Sequence, residues 1–281
     1  MGGGYFSLTS LRLELDGLIR VSGGYDNNTG PFYDAGGAGG GVHLQVNSLA
    51  GAGSIYANGA NALSSSYSSG AGGRISIIAG DISEFIDVTD STNRNRLQAR
   101  GGTGVGSRYS APGTVFIQDT EFSNGVLIVD SNGVNAEPNS TPIQPVGKHL
   151  INFVMEIEPG LWQLGVDYQF AYETNESEGR GLQGLQVDLD IDSDSVFYTV
   201  LSNDLNSLYI ETADDLSAYQ SKTLIGIHIF DQLYISGGAN VDFDTDRIEV
   251  VNTLQSEVTS DSTIQFGEAN DEWLQYLLDN E

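Results

Sequence analysis

The chain has no cysteine, which removes disulfides, thiolate metal sites and cysteine nucleophiles together. Basic residues are few: 11 lysines and arginines stand against 38 aspartates and glutamates, a formal charge of −27 at pH 7. A polyanion such as nucleic acid would be repelled, and no basic stripe offsets that field. An anionic membrane surface is disfavoured for the same reason. No run approaches the ~18 consecutive apolar residues of a transmembrane helix, so no membrane span is expected. Met1 is followed by three glycines rather than by the basic and apolar regions of a secretory signal. The chain opens inside a glycine-led unit, and the expectation is a piece of a larger polypeptide. Proline is scarce, at six residues, while glycine reaches 36. That balance fits a turn-rich all-β protein in which glycine supplies the positive φ of tight corners. No Gly-X-Y period exists, so collagen is excluded.

What is present is a repeat. Gly72-Gly73-Arg74-Ile75-Ser76-Ile77-Ile78 joins a glycine pair to alternating apolar residues, and Gly40 to Val46 has the same form. Gly3 to Leu8 and Pro112 to Ile117 are looser copies, at intervals of about 32 to 40 residues. A second strand signal follows each copy: Leu15 to Val21, Leu49 to Ala57, Phe85 to Val88 and Gly125 to Val129. Such a unit is too poor in apolar residues to bury its own core, whereas stacked units cover one another. The expected fold class is therefore all-β, a parallel β-helix or β-solenoid. In the expected register Ile75 and Ile77 stack on Leu44 and Val46 on one side and on Val115 and Ile117 on the other, since a slip of one would turn every apolar side chain outward.

Glycine-led solenoid repeats occupy residues 1–130, and a proline-containing linker or loop is expected over 131–147. Residues 148–268 read as an acidic all-β segment, either continued solenoid or a small sandwich. Residues 269–281, with Trp273, Leu274, Leu277 and Leu278 at helical spacing, read as a short capping helix or tail. Polar loops between the first units end in tyrosines of matching context, Tyr33, Tyr67 and Tyr109. As an exposed column they would offer sugar rings a stacking surface; as a buried one they would tie adjacent coils together. Arg74, Arg94, Arg96, Arg100 and Arg108 fall within one repeat. They are positioned either to clamp an anionic polysaccharide or to neutralise a very acidic chain locally.

Asp188, Asp190, Asp192 and Asp194 alternate with apolar residues, so in a strand all four carboxylates share one face about 7 Å apart. Asp242, Asp244 and Asp246 repeat the pattern. A hard cation such as Ca2+ bridging them is the functional expectation, and a solvated acidic face the plain one. So many carboxylates need screening by salt or divalent cations, which points to a marine, halophilic or calcium-rich extracellular setting. His43, His149 and His228 sit inside apolar strand runs, where a packed and satisfied histidine is expected. No nucleophile elbow or metal-ligand spacing accompanies them, so no catalytic residue is assigned. Paired carboxylates for glycoside hydrolysis carry no specificity in so acidic a chain.

The run Leu49-Ala50-Gly51-Ala52-Gly53-Ser54-Ile55-Tyr56-Ala57-Asn58-Gly59, followed by Gly72-Gly73-Arg74-Ile75, resembles the glycine-rich repeat regions of very large secreted bacterial surface proteins of adhesin-like type. The resemblance spans about the first 120 residues. It implies an extracellular β-helical stalk or adhesive region, with glycan and calcium contacts as expected partners. The alternative is a polysaccharide-active enzyme, a lyase or glycoside hydrolase, or a phage-type spike built on a β-helix. That reading calls for a groove with clustered carboxylates and an arginine or lysine among them. Ice binding would need a flat array of regularly spaced threonines, which is absent.

Overall fold

A computed structural model describes residues 1–24, 35–62, 68–104, 109–135, 138–170, 181–192, 196–266 and 268–269. The all-β expectation holds. Each glycine-led run forms a strand: β1 (Tyr5–Glu14), β3 (Gly41–Ala50), β5 (Arg74–Asp81) and β7 (Thr114–Gln118). They pair side by side in parallel. The short strands β2 (Leu18–Arg20), β4 (Ser54–Tyr56) and β6 (Leu97–Gln98) make a second parallel sheet. Rows of like residues cross the first sheet: Phe6, Val42, Ile75 and Val115 form one, and Leu8, Leu44, Ile77 and Ile117 the next. Ile75 thus lies beside Val42, and Ile77 beside Leu44, two residues from the expected register. A shift of two keeps every side chain on its face, so the core set is unchanged. Ile19, Ile55 and Leu97 complete this core from the second sheet.

Two local expectations need correction. Phe85 to Val88 is a turn rather than a strand, with the Phe85 and Ile86 N–H groups both donating to the Ile82 carbonyl. Phe85, Ile86 and Val88 are all buried in the first core, which the alternating faces of a strand would not allow. The repeated glycines, secondly, do not serve through positive φ, which Gly51 and Gly125 among others supply at corners as expected. Gly40, Gly73 and Gly113 lie outside the set of positive-φ residues. They are points of close approach. A Cβ on Gly73 would collide with the Gly40 carbonyl, and one on Gly113 with that of Gly73. At the same place the Gly40, Gly73 and Gly113 N–H groups donate to Val21, Ala57 and Ala99 carbonyls (2.8, 2.7 and 2.6 Å). The end of the second-sheet strand is thereby tied to the start of the next first-sheet strand.

The sheets are mixed rather than uniformly parallel. Gly125, at φ +80°, reverses the chain, so that β8 (Val126–Asp130) runs antiparallel to β7. Further strands follow: β9 (Thr141–Pro142), β10 (Lys148–Glu158), β11 (Leu161–Val166), β12 (Gln186–Asp188), β13 (Phe197–Asn203), β14 (Ser207–Glu211) and β15 (Thr223–Phe230). The ladder β10–β11–β14–β13–β12–β15 closes on itself, because Lys148 to Leu150 also pair with Thr223 to Ile225. All pairings in this ring of strands are antiparallel. It encloses a core of its own, including Ile151, Trp162, Leu164, Val187, Val200 and Leu208.

The last strands are β16 (Gln232–Ser236), β17 (Asn240–Asp242), β18 (Arg247–Val250), β19 (Glu257–Val258), β20 (Thr263–Gln265) and β21 (Glu268–Ala269). They restore parallel order: β8, β16 and β19 pair, as do β9, β17 and β20, and β15, β18 and β21. The closed ring is therefore an insertion between β9 and β15 in the first of three parallel passes. β15 belongs to both bodies, with Leu224 in the ring's core and Phe230 in a third core, where it packs with residues of the parallel passes such as Leu233, Val241 and Phe243. Residues 131–147 contain β9, and Thr141 there is buried. Of the helix or tail expected over 269–281, Ala269 instead ends β21, and the rest lies outside the described residues.

Replacing Gly73 with alanine is expected to destabilise the chain by about 2 kcal/mol, since overpacking costs ~1–3 kcal/mol. Gly17→Ala, whose added Cβ meets nothing within 4 Å, is the control and should stay within about 0.5 kcal/mol. Urea midpoints of the two variants test this; equal shifts would contradict the close-approach account.

Candidate functional site

Strand alternation puts Ile19, Ile55 and Leu97 in the core, so their neighbours Arg20, Tyr56 and Gln98 face outward. Parallel register aligns these three into one row across the second sheet. Just beyond the strands the chain fixes a polar floor. Asn58 Nδ2 donates to Gln98 Oε1 (2.9 Å), the Asn58 N–H to Ser22 Oγ (3.1 Å) and the Arg100 N–H to Asn58 Oδ1 (2.8 Å). The Thr103 N–H donates to Asn61 Oδ1 (2.8 Å). These groups line an open groove of about 530 Å³, whose far wall is Ser131, Asn132 and Val134. Arg100 is held there by its Nε and Nη2, which donate to Asp130 Oδ2 (3.0 and 2.8 Å), while Nη2 also reaches Asn95 Oδ1 (2.6 Å). Tyr56 is half-buried and Arg20 exposed.

The expected glycan column is not what lines this groove. Tyr33 and Tyr67 lie outside the described residues, and Tyr109 is half-buried, its carbonyl accepting from Asn139 Nδ2 (2.8 Å). The arginine cluster is largely structural. Arg96 donates to the Gly51 and Gly53 carbonyls (2.8 and 2.9 Å), stapling a corner of the preceding unit. Arg94 donates to the Val88 carbonyl (2.9 Å) and to Glu257 (3.0 Å) and lies 3.9 Å over the Tyr234 ring. Arg94 ends α1 (Ser91–Arg94), which is capped by Asp90. The Thr92 N–H and the Asn93 side chain hold the Asp90 carboxyl below its ordinary range. Arg74 is exposed, and Arg108 is outside the described residues.

The two aspartate rows do not form. β12 ends at Asp188, and the chain then turns, because each aspartate accepts from the backbone two residues on: the Asp190 N–H donates to Asp188 Oδ1 (3.0 Å) and the Asp192 N–H to Asp190 Oδ1 (3.4 Å). Such local bonds compete with the ladder and end the alternation. The buried Asp188 meets Arg247 (3.3 Å), and Asp190 meets Lys222 (2.9 Å). Asp194 is outside the described residues. Asp242 likewise accepts from the Asp244 N–H (2.8 Å), with Asp244 at φ +56°. Asp246 is fully buried and accepts from the Val146 N–H (2.8 Å), the Gly147 N–H (2.6 Å) and His228 Nε2 (3.0 Å). It joins the entrance of the inserted ring to β15. Among the described residues no three His, Cys, Asp or Glu side chains are grouped to hold a metal ion. The histidines are packed as expected: His43 Nδ1 contacts Ser76 Oγ (3.3 Å), and His149 stacks on Tyr168 at 4.4 Å.

Sequence reasoning missed Arg20, Tyr56 and Gln98 as a set. Their signal is a shared place, directly after Ile19, Ile55 and Leu97. Placing the third unit's second strand at Phe85 to Val88 hid that alignment.

With Asp188 and Asp190 already facing protein cations, thermal midpoints in calcium chloride and in sodium chloride of equal ionic strength are expected to coincide. A midpoint raised by calcium alone and reversed by chelator would contradict this. Asp246→Ala leaves three buried donors without an acceptor, at about 1–3 kcal/mol each, so a loss of about 3 kcal/mol or more is expected. Urea denaturation measures it, and a loss below about 1 kcal/mol would show that the joint is held by other contacts.

No family model, no curated protein and no solved structure matches this chain.

Proposed function

We propose that this chain is a structural, glycan-contacting module of stacked β-solenoid coils within a larger extracellular surface polypeptide. The groove over the second sheet carries the reading. Tyr56 offers an apolar face of the kind on which a sugar ring stacks, and Asn58, Asn61 and Gln98 offer amides to its hydroxyl groups. Tyr56 and Gln98 stand on regular strands in register, and Asn58, just past its strand, is tied to Gln98 and to the Arg100 N–H, which holds their spacing. The in-register rows of β1, β3, β5 and β7 support the stacked-coil reading, and the net charge of −27 supports a saline or calcium-rich exterior. Hydrolysis by paired carboxylates needs two acidic groups flanking the bond. The groove's described lining contains no aspartate or glutamate, so its chemistry favours holding a sugar over cleaving it.

A glycan array comparing the parent with Tyr56→Ala tests this. Loss of one stacked ring, worth about 0.5–1.5 kcal/mol, should weaken the strongest binders several-fold. A Tyr109→Ala variant run alongside should bind as the parent does. Equal binding by all three proteins, or weakening by Tyr109→Ala alone, would move the contact away from the groove.

A further inference from the structure

The lining of this groove departs from the rest of the chain in charge. The protein carries 38 acidic residues and 11 basic ones, yet the described lining holds Arg20 and Arg100 and no carboxylate. The two arginines differ in state. Arg100 spends its Nε and Nη2 on Asp130 and Asn95, so its charge is largely answered within the protein. Arg20 is exposed, on a three-residue strand, and its side chain makes no ion pair or hydrogen bond with another described residue. It neighbours Tyr56 in register, with Gln98 on the far side of the ring. Adjacent strands lie about 4.8 Å apart, so Arg20 and Gln98 flank Tyr56 at a span of about 10 Å. A sugar ring stacked on Tyr56 then reaches a guanidinium with one edge and an amide with the other.

Building on the glycan-contacting reading above, we propose that the groove selects sugar chains bearing carboxylate or sulfate groups, with Arg20 as the anion contact. A guanidinium presents paired N–H donors in a fixed fork that matches the oxygens of either group. The chain's overall negative field opposes the approach of such a ligand, but its reach is limited. At 0.15 M salt the screening length is about 8 Å, so carboxylates beyond that distance act weakly on a ligand already seated against Arg20, and Asp130, which borders the lining, is paired with Arg100. The described lining is thus a neutral to positive strip on a negative molecule, and it discriminates at contact distance.

The test is calorimetric titration at 0.15 M sodium chloride with three probes: a galacturonate oligosaccharide, a sulfated galactose oligosaccharide and a neutral galactose oligosaccharide of equal length. The parent is expected to bind at least one anionic probe tenfold or more tighter than the neutral one. Arg20→Gln should bring that probe to within about twofold of the neutral one, whereas Tyr56→Ala should weaken both. Circular dichroism checks that Arg20→Gln, a change at an exposed side chain, is folded. A preference for one anionic probe over the other identifies the group read. If the neutral probe binds as tightly as both anionic ones and Tyr56→Ala still weakens it, the anion inference falls while the glycan reading stands. An anionic preference untouched by Arg20→Gln overturns the role of Arg20. No binding of any probe overturns both readings.

Discussion

Backbone meeting backbone at the repeated glycines is the constraint on which the first half of the molecule depends. Gly40, Gly73 and Gly113 each receive a neighbour's carbonyl where a side chain would otherwise stand, and each donates its N–H to the end of a second-sheet strand. That contact sets the distance between units and the phase of the strand that follows. Once Gly73 is seated against Gly40, Ile75 and Ile77 can only fall beside Val42 and Leu44. The core rows and the outward row of Arg20, Tyr56 and Gln98 are two readouts of the same register. Burial of the apolar rows supplies the driving force, while the glycines make it specific.

The second half uses a different device. A closed antiparallel ring is inserted into a parallel pass, and its two ends must return to neighbouring positions. Asp246 accomplishes this from a fully buried position, accepting from Val146 and Gly147 at the entrance and from His228 on the returning strand. Gly226 faces the same carboxylate with no room for a side chain. Asp188 and Asp190, against Arg247 and Lys222, close the neighbouring side. A chain with few cations places two of them here, because buried carboxylates without partners would cost far more than exposed ones.

How much of this was legible in the sequence follows from the range of the interactions. The all-β class and the core rows were readable, since alternation and the glycine pairs are local signals. Ile75 and Ile77 fall beside Val115 and Ile117 as expected, but their register against the preceding unit was misread by two residues, because parity is encoded by the pattern and absolute phase by the glycine contacts. Phe85 to Val88 imitated a strand, yet all three of its apolar side chains turn inward from a turn. The aspartate rows failed for a related reason: Asp188, Asp190 and Asp242 bond to their own downstream backbone, and alternation alone does not reveal that competition. The closed ring and the Asp246 joint rest on contacts about 100 residues apart, to which periodicity is blind. The groove was hidden because its members belong to three units and its far wall to a fourth segment.

Because the chain has no cysteine, its register can be read by paired cysteine substitution. The pair Arg20→Cys with Tyr56→Cys joins in-register neighbours, whereas Arg20→Cys with Asn58→Cys places the second thiol two residues further along the strand direction. A disulfide needs Cα atoms about 4.4–6.8 Å apart. The glycine-set register predicts rapid, complete oxidation of the first pair in the folded protein and little of the second. Preferential oxidation of the Arg20 and Asn58 pair would contradict that register, and with it the row that lines the groove.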